Sequence, residues 1–198
     1  MIRSKQRGEG AVKITTGTDD AGWTELMFGR RARKDDPRIE AVGTLDELNA
    51  WLGLVKCRSR RRRLKETIHA CQHDLFIVSS EFVTLPKDLR KLEFRATEEM
   101  VAQLEKDIRR LEREVKVEGC CFLIPGETPL SAMLDICRCV ARKAERRAAT
   151  LARRRLLPNP HVRTYLNRLS DLLFLLARKC EPGHVMFVAR EQPGRKAR

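Results

Sequence analysis

A chain of 198 residues can bury a substantial core as one domain, without disulfides or metals to staple it. Aromatic residues reach only 5%, while Leu, Ala, Glu, Arg and Lys dominate, which favours helices over a sandwich or barrel. The net charge of +14 raises nucleic acid as a partner, but the basic clusters at 58–65, 153–155 and 195–198 are scattered and have no interleaved aromatics for base stacking. No specific nucleic-acid partner is therefore expected.

No run of about 18 apolar residues exists, and the opening MIRSKQRGEG lacks the apolar stretch of a secretory signal, so neither a membrane span nor export is expected. The reading is a soluble, cytoplasmic protein. Seven cysteines, including the neighbours Cys120 and Cys121 and the pair Cys137 and Cys139, form no CxxC and have no histidine cluster near them. They suggest neither a disulfide framework nor a zinc site, and no side-chain metal site is expected. Cys71 and Cys137 read as small core residues.

Residues 1–11 form a polar segment, followed by a single domain over 12–182 and a basic tail over 183–198. From 13 to 43 the chain is rich in Gly, Thr, Asp and Arg without helical periodicity, and reads as a long ordered loop or a short strand; loops this long are usually functional or disordered. Thr44 with Glu47 makes a capping box that would open the first helix, through about Lys56. The second helix is expected over 60–82, with Leu64, Ile68, Cys71, Leu75 and Val78 as its apolar stripe. A connector over 85–94 is broken by Pro86, and a third helix begins near Thr97, with Leu104, Ile108, Leu111 and Val115 facing inward.

The loop over 118–128, EGCCFLIPGET, is apolar in its middle and bent by Pro125 and Gly126. Thr128 and Pro129 then open a fourth helix over 129–156, and Asn159 and Pro160 open a fifth that ends near Cys180. Five antiparallel helices with short connections predict an all-α five-helix bundle.

Two of these helices carry a second face. On the fourth, Leu130, Met133, Leu134, Cys137, Val140, Ala141 and Ala144 gather as a core stripe, while Asp135, Arg138, Arg142 and Glu145 form a charged row beside it. Charges bordering an apolar seam must be paired internally or kept for a charged ligand. Two arginines a turn apart suit a polyphosphate, since each guanidinium presents a planar fork of donors; the plainer reading is a solvated face with local ion pairs. On the fifth, Leu166, Leu169, Leu173 and Leu176 make the core, while Asn167, Ser170, Asp171 and Phe174 share another face. That face reads equally as ligand contact or as interhelical hydrogen bonding.

Four separated segments carry a resemblance to a known family. They are Thr16, Thr18, Asp20, Gly22 and Thr24 with Leu26, Gly29, Arg31, Lys34, Asp35, Asp36 and Arg38; the run from Gly43 to Asn49; Phe122, Pro125 and Gly126 with Arg138, Arg142, Ala144, Glu145 and Arg146; and YLNRLSDLLFLLAR at 165–178. Together they resemble the PduO-type ATP:cob(I)alamin adenosyltransferases.

The resemblance implies a ferritin-like five-helix bundle assembled as a homotrimer, with sites between subunits. It also implies transfer of the 5′-deoxyadenosyl group of ATP to cob(I)alamin, with Mg²⁺ on the phosphates. Carried over residue by residue, Arg138, Arg142, Asp46 and Phe122 would be catalytic, with Asp46 pairing across the interface with Arg138. ATP would be held by Thr16, Thr18, Asp20, Gly22, Thr24, Arg31, Lys34, Arg38, Arg142, Lys143, Glu145 and Asn167. The corrinoid would meet Phe122, Asp171 and Phe174, with Phe122 excluding its lower axial ligand.

A reductase and an adenosylcobalamin-dependent acceptor enzyme are implied as partners. The chain departs from the family pattern at Asp19 and Phe28, where Gly is usual, at Glu127, at Asp135 in place of His, and at Lys143 in place of Arg. Asp19 and Glu127 motivate a competing reading, a diverged corrinoid- or nucleotide-binding protein with little or no turnover.

Overall fold

Five helices, α1 (Pro37–Arg58), α2 (Arg62–Phe82), α3 (Glu98–Glu114), α4 (Pro129–Arg153) and α5 (Pro160–Lys179), make up most of the computed structural model, which describes residues 21–115 and 123–183. Thr16, Thr18, Asp20, Phe122, the segment 1–11 and nearly all of the basic tail lie outside the described residues. A two-stranded antiparallel hairpin, β1 (Trp23–Glu25) and β2 (Arg31–Arg33), precedes α1 and pairs Thr24 with Ala32.

Three helix starts form on the caps expected from sequence. The Thr97 hydroxyl accepts from the Met100 amide, the Asn159 side chain accepts from the His161 amide, and Thr128 and Ser131 exchange side-chain to backbone bonds in a reciprocal capping box. α1 is the correction, because it begins at Pro37 and not at Thr44. The Asp36 carboxylate accepts from the Arg38 amide at 2.8 Å and Pro37 takes the first helical position, a strong start lying earlier in the chain. Thr44 is buried inside the helix, where its hydroxyl donates to the Glu40 carbonyl at 2.9 Å. The earlier start also extends the buried stripe Ala41, Leu45, Leu48, Leu52 and Val55 by its first member.

The fourth helix is also shorter than expected, ending at Arg153 and not at Leu156. Arg155 adopts the left-handed conformation (φ 57), with the Leu156 amide bonding the Leu151 carbonyl and the Arg155 amide bonding that of Ala152, a Schellman ending.

α4 packs against both α1 and α5; α2 lies on α1 and α3 on α5. Leu48, Leu52, Ile68, Leu134, Leu166, Leu169 and Leu172 are fully buried between these helices. Cys71 and Cys137 join the core as expected, and burial pushes both thiols up to about 12, which keeps them protonated and inert. Tyr165 is fully buried and its hydroxyl donates to Asp74 at 3.0 Å.

The hairpin is tied down at the far end of α2. The Met27 amide donates to the Val83 carbonyl at 3.1 Å, and Arg30 donates to Asp88, on the short 3-10 segment Pro86–Lys91, at 2.9 Å. Arg30 and then Lys91 hold the Asp88 carboxyl down to about 2. No helix among the described residues is long and apolar enough to cross a membrane.

Candidate functional site

α4 divides its charged row among three uses. Asp135 is buried; one carboxylate oxygen accepts from Arg138 Nε at 3.2 Å and the other from the buried Arg178 of α5. Glu145 accepts from Asn167 Nδ2 of α5 at 2.9 Å. Arg142, between them, is exposed and has no hydrogen bond or ion pair among the described residues. The plain reading of the row, a solvated face with local ion pairs, accounts only for the pairing of Arg138 with Asp135; Asp135 is buried and bonded across to α5, as is Glu145, while Arg142 is left over as an available cation among the described residues.

Arg142 faces an open groove of about 850 Å³ between α3, α4 and α5. Its walls carry Arg138, Arg142, Arg168 and Arg109 against Glu105, Glu112 and Asp171, with Ile108, Phe174 and Leu175 supplying apolar surface. Four arginines against three carboxylates leave a cationic excess, and one cation, Arg168, neutralises two of the acids. Its Nε donates to Glu105 at 3.2 Å, and NH1 donates to Asp171 at 3.0 Å and to Asn167 Oδ1 at 3.1 Å. Asn167 is thereby held at both ends of its amide, so the interhelical hydrogen bonding read from sequence is present, and the amide sits at the groove's edge.

The groove thus gathers Arg138, Arg142, Asp171 and Phe174 from the expected set, with Asn167 and Glu145 adjoining. It does not gather the rest within this chain. Gly22, Thr24, Arg31 and Lys34 belong to the hairpin and its flanks, which pack on the end of α2, and Arg38 is buried in the first turn of α1 with its Nε unpaired among the described residues. Asp46 lies exposed on α1. Lys143 donates to Glu47 of α1 and lines a second groove, of about 500 Å³, with Pro125, Gly126, Ile136, Cys139 and Arg146. Arg138 lines both grooves.

Sequence reasoning missed the α3 wall. Glu105, Ile108, Arg109 and Glu112 form a mixed stripe beside Leu104 and Leu111, the same pattern that singled out α4, and it would have been the signal. It also missed Arg168 as the organiser of the groove carboxylates, since nothing in the local sequence says which acids surround it.

Phe28 takes the left-handed conformation (φ 60, ψ 37) beside Gly29 (φ 69). The turn thus keeps a glycine-like shape with a bulky side chain, whose ring lies 5.4 Å from the Lys91 ammonium.

No cluster of three or more acidic, histidine or cysteine side chains able to hold a metal ion occurs among the described residues. The groove carboxylates Glu105 and Asp171 are already paired with Arg168, so they form no cage for Mg²⁺.

Comparison with known proteins gives this groove its context. The family model described as cobalamin adenosyltransferase matches residues 14–180. The chain belongs to that family. A corrinoid adenosyltransferase of Citrobacter freundii is 39% identical over 84% of this chain and 93% of its own length. Corrinoid adenosyltransferase PduO of Salmonella typhimurium is 38% identical over 84% of this chain, which spans only 49% of that longer protein. Among solved structures, a variant PduO-type ATP:corrinoid adenosyltransferase from Lactobacillus reuteri, complexed with cobalamin and ATP, superposes with a TM-score of 0.80 at 30% identity, covering 88% of this chain and 99% of its own.

Proposed function

We propose that the chain transfers the 5′-deoxyadenosyl group of ATP to the cobalt of cob(I)alamin, giving adenosylcobalamin and triphosphate. The observation that carries this reading is the match over nearly the whole length of a family member complexed with both cobalamin and ATP. The electron pair of cobalt(I) forms the bond to C5′ while the C5′–O bond breaks and its pair leaves with triphosphate. No proton moves, so the protein needs no general base; it must align the reactants and offset the charge of the leaving group.

A groove rich in arginine, with Arg142 unpaired among the described residues, suits that task. Arg142 would take phosphate oxygens through its planar fork, Asn167 would meet the nucleotide from the edge, and Phe174 and Asp171 would face the corrinoid. Phe122 would exclude the corrinoid's lower ligand. The cationic Lys34 and Arg31, with Thr16, Thr18, Asp20, Gly22, Thr24 and Arg38, would cover the triphosphate. Mg²⁺ would arrive on phosphate oxygens.

That neither the hairpin nor Asp46 lines this chain's own groove supports a site completed by a neighbouring copy, and hence a homotrimer in which Asp46 meets Arg138 of the next subunit. The exposed Ile124 and Ile136 beside the second groove support the same arrangement. The reaction also requires a reductase to supply cobalt(I) and an adenosylcobalamin-dependent enzyme to accept the product. Its setting would be the cytoplasm, where exposed thiols such as Cys57 and Cys139 stay reduced.

The test is an anaerobic assay with purified protein, ATP, Mg²⁺ and chemically reduced cobalamin, following loss of the cobalt(I) absorbance and identifying the products. Adenosylcobalamin with an equivalent of triphosphate is expected. A folded protein that binds the corrinoid and forms no product would replace this reading with the diverged binding protein.

A further inference from the structure

Asp135 lies at a junction that serves both grooves. It is buried, lines the second groove, and holds two guanidiniums at once: Arg138 through Nε at 3.2 Å, and Arg178 through NH2. Arg138 reaches both grooves. Arg178 is itself buried, donates also to Glu181 at 2.8 Å, and lies 5.1 Å from the centroid of the Phe174 ring, which lines the first groove. One carboxylate therefore anchors both a groove arginine and the cation on which the groove's aromatic ring rests.

Stability alone is a weak reason for such a node, because a buried ion pair gains little over apolar residues of similar volume and α4 and α5 already share an extensive apolar seam. The arrangement does something else. Held at Nε, Arg138 is fixed before any ligand arrives, whereas Arg142, a turn away, is unanchored among the described residues and can follow a flexible polyphosphate. A side chain with a single acceptor atom could not hold both guanidiniums. Aspartate can.

We propose that Asp135 is a positioning residue that sets the corrinoid-facing part of the first groove, through Arg138, which lines that groove together with Asp171 and Phe174, and through Arg178 beside the Phe174 ring, and leaves the ATP-facing Arg142 untouched. This rests on the activity proposed above. The change Asp135→Asn keeps the shape and one acceptor oxygen but removes the charge shared by the two arginines. It is expected to raise the KM for cob(I)alamin about tenfold, as loss of one charge-assisted hydrogen bond would, while the KM for ATP stays within about twofold. A purely structural role would lower the active fraction and leave both KM values alone.

Two measurements keep the proposal open to refutation. In the Arg138→Gln background the Asp135→Asn change should add less to the corrinoid KM than it does alone, since it acts through that arginine. The dissociation constant for cob(II)alamin, read from its absorbance change, should weaken in step, and this readout needs no turnover. Additive effects in the double variant, or unchanged corrinoid KM and binding in a folded Asp135→Asn protein, would overturn the proposal and leave the activity standing. A wild-type chain that binds cobalamin without making product would overturn the activity alone, with the binding series still deciding the role of Asp135. One that binds no cobalamin would overturn both.

Discussion

Removing the Arg142 side chain separates a ligand contact from a fold contact unusually well. The residue is exposed on α4 and has no hydrogen bond or ion pair among the described residues, so Arg142→Ala should change stability by no more than about 0.5 kcal/mol. That is a shift of roughly 1–2 °C in Tm for a chain of this size. If the guanidinium takes two phosphate oxygens, two charge-assisted bonds disappear; at the low end of their range, about 1.5 kcal/mol each, the loss is about 3 kcal/mol, or roughly a hundredfold in kcat/KM for ATP. Arg142→Lys keeps the charge and loses the fork, and should recover about a tenth of the wild-type value. The assay is anaerobic adenosylation at varied ATP with saturating cob(I)alamin, paired with thermal unfolding of each variant. A kcat/KM within about threefold of wild type in folded Arg142→Ala would refute the reasoning, and so would a loss that tracks a drop in Tm.

The acid limb of stability should depend on Asp88, whose folded carboxyl is held down to about 2 from an ordinary 3.8, first by its hydrogen bond with Arg30 and then by that with Lys91. Its contribution is complete above about pH 4 and is lost as the pH falls towards 2, so Asp88→Asn should narrow the difference in urea midpoint between pH 5 and pH 2.5. Glu81 has the opposite sign: fully buried and accepting from the Ala96 amide and from Asn159, its carboxyl is pushed up by burial. Its stabilisation is greatest below about pH 4.5 and declines as the pH rises, so the deficit of Glu81→Gln relative to wild type should shrink between pH 4.5 and 7.5, as read from urea midpoints. At the left-handed Phe28, a β-branched side chain fits worse than a ring or none, so Phe28→Val should be less stable than Phe28→Gly by about 1–2 kcal/mol in chemical denaturation. Equal stability of those two variants would show that the turn can change its conformation at no cost.

Local chemistry made much of this protein legible from sequence. Thr97, Thr128 with Pro129, and Asn159 with Pro160 announce helix starts because a cap acts within three residues of itself, and the apolar stripes announce core faces because side chains three and four apart share a side of a helix. The same local rules misplaced the start of α1, where Thr44 and Glu47 spell a capping box inside a helix already begun at Asp36 and Pro37. The stronger signal lay upstream, and burial of Ala41 favoured it.

For the site, sequence singled out the rows on α4 and α5 but could not say how their members divide. Asp135 finds Arg178, Glu145 finds Asn167, and Arg168 gathers Glu105 and Asp171, while Arg142 is left available. Which arginine is spent on the fold and which is left for a ligand depends on how far each helix is rotated and how closely it approaches its neighbour. Those quantities are set by packing across residues distant in the chain, so only the tertiary structure decides them.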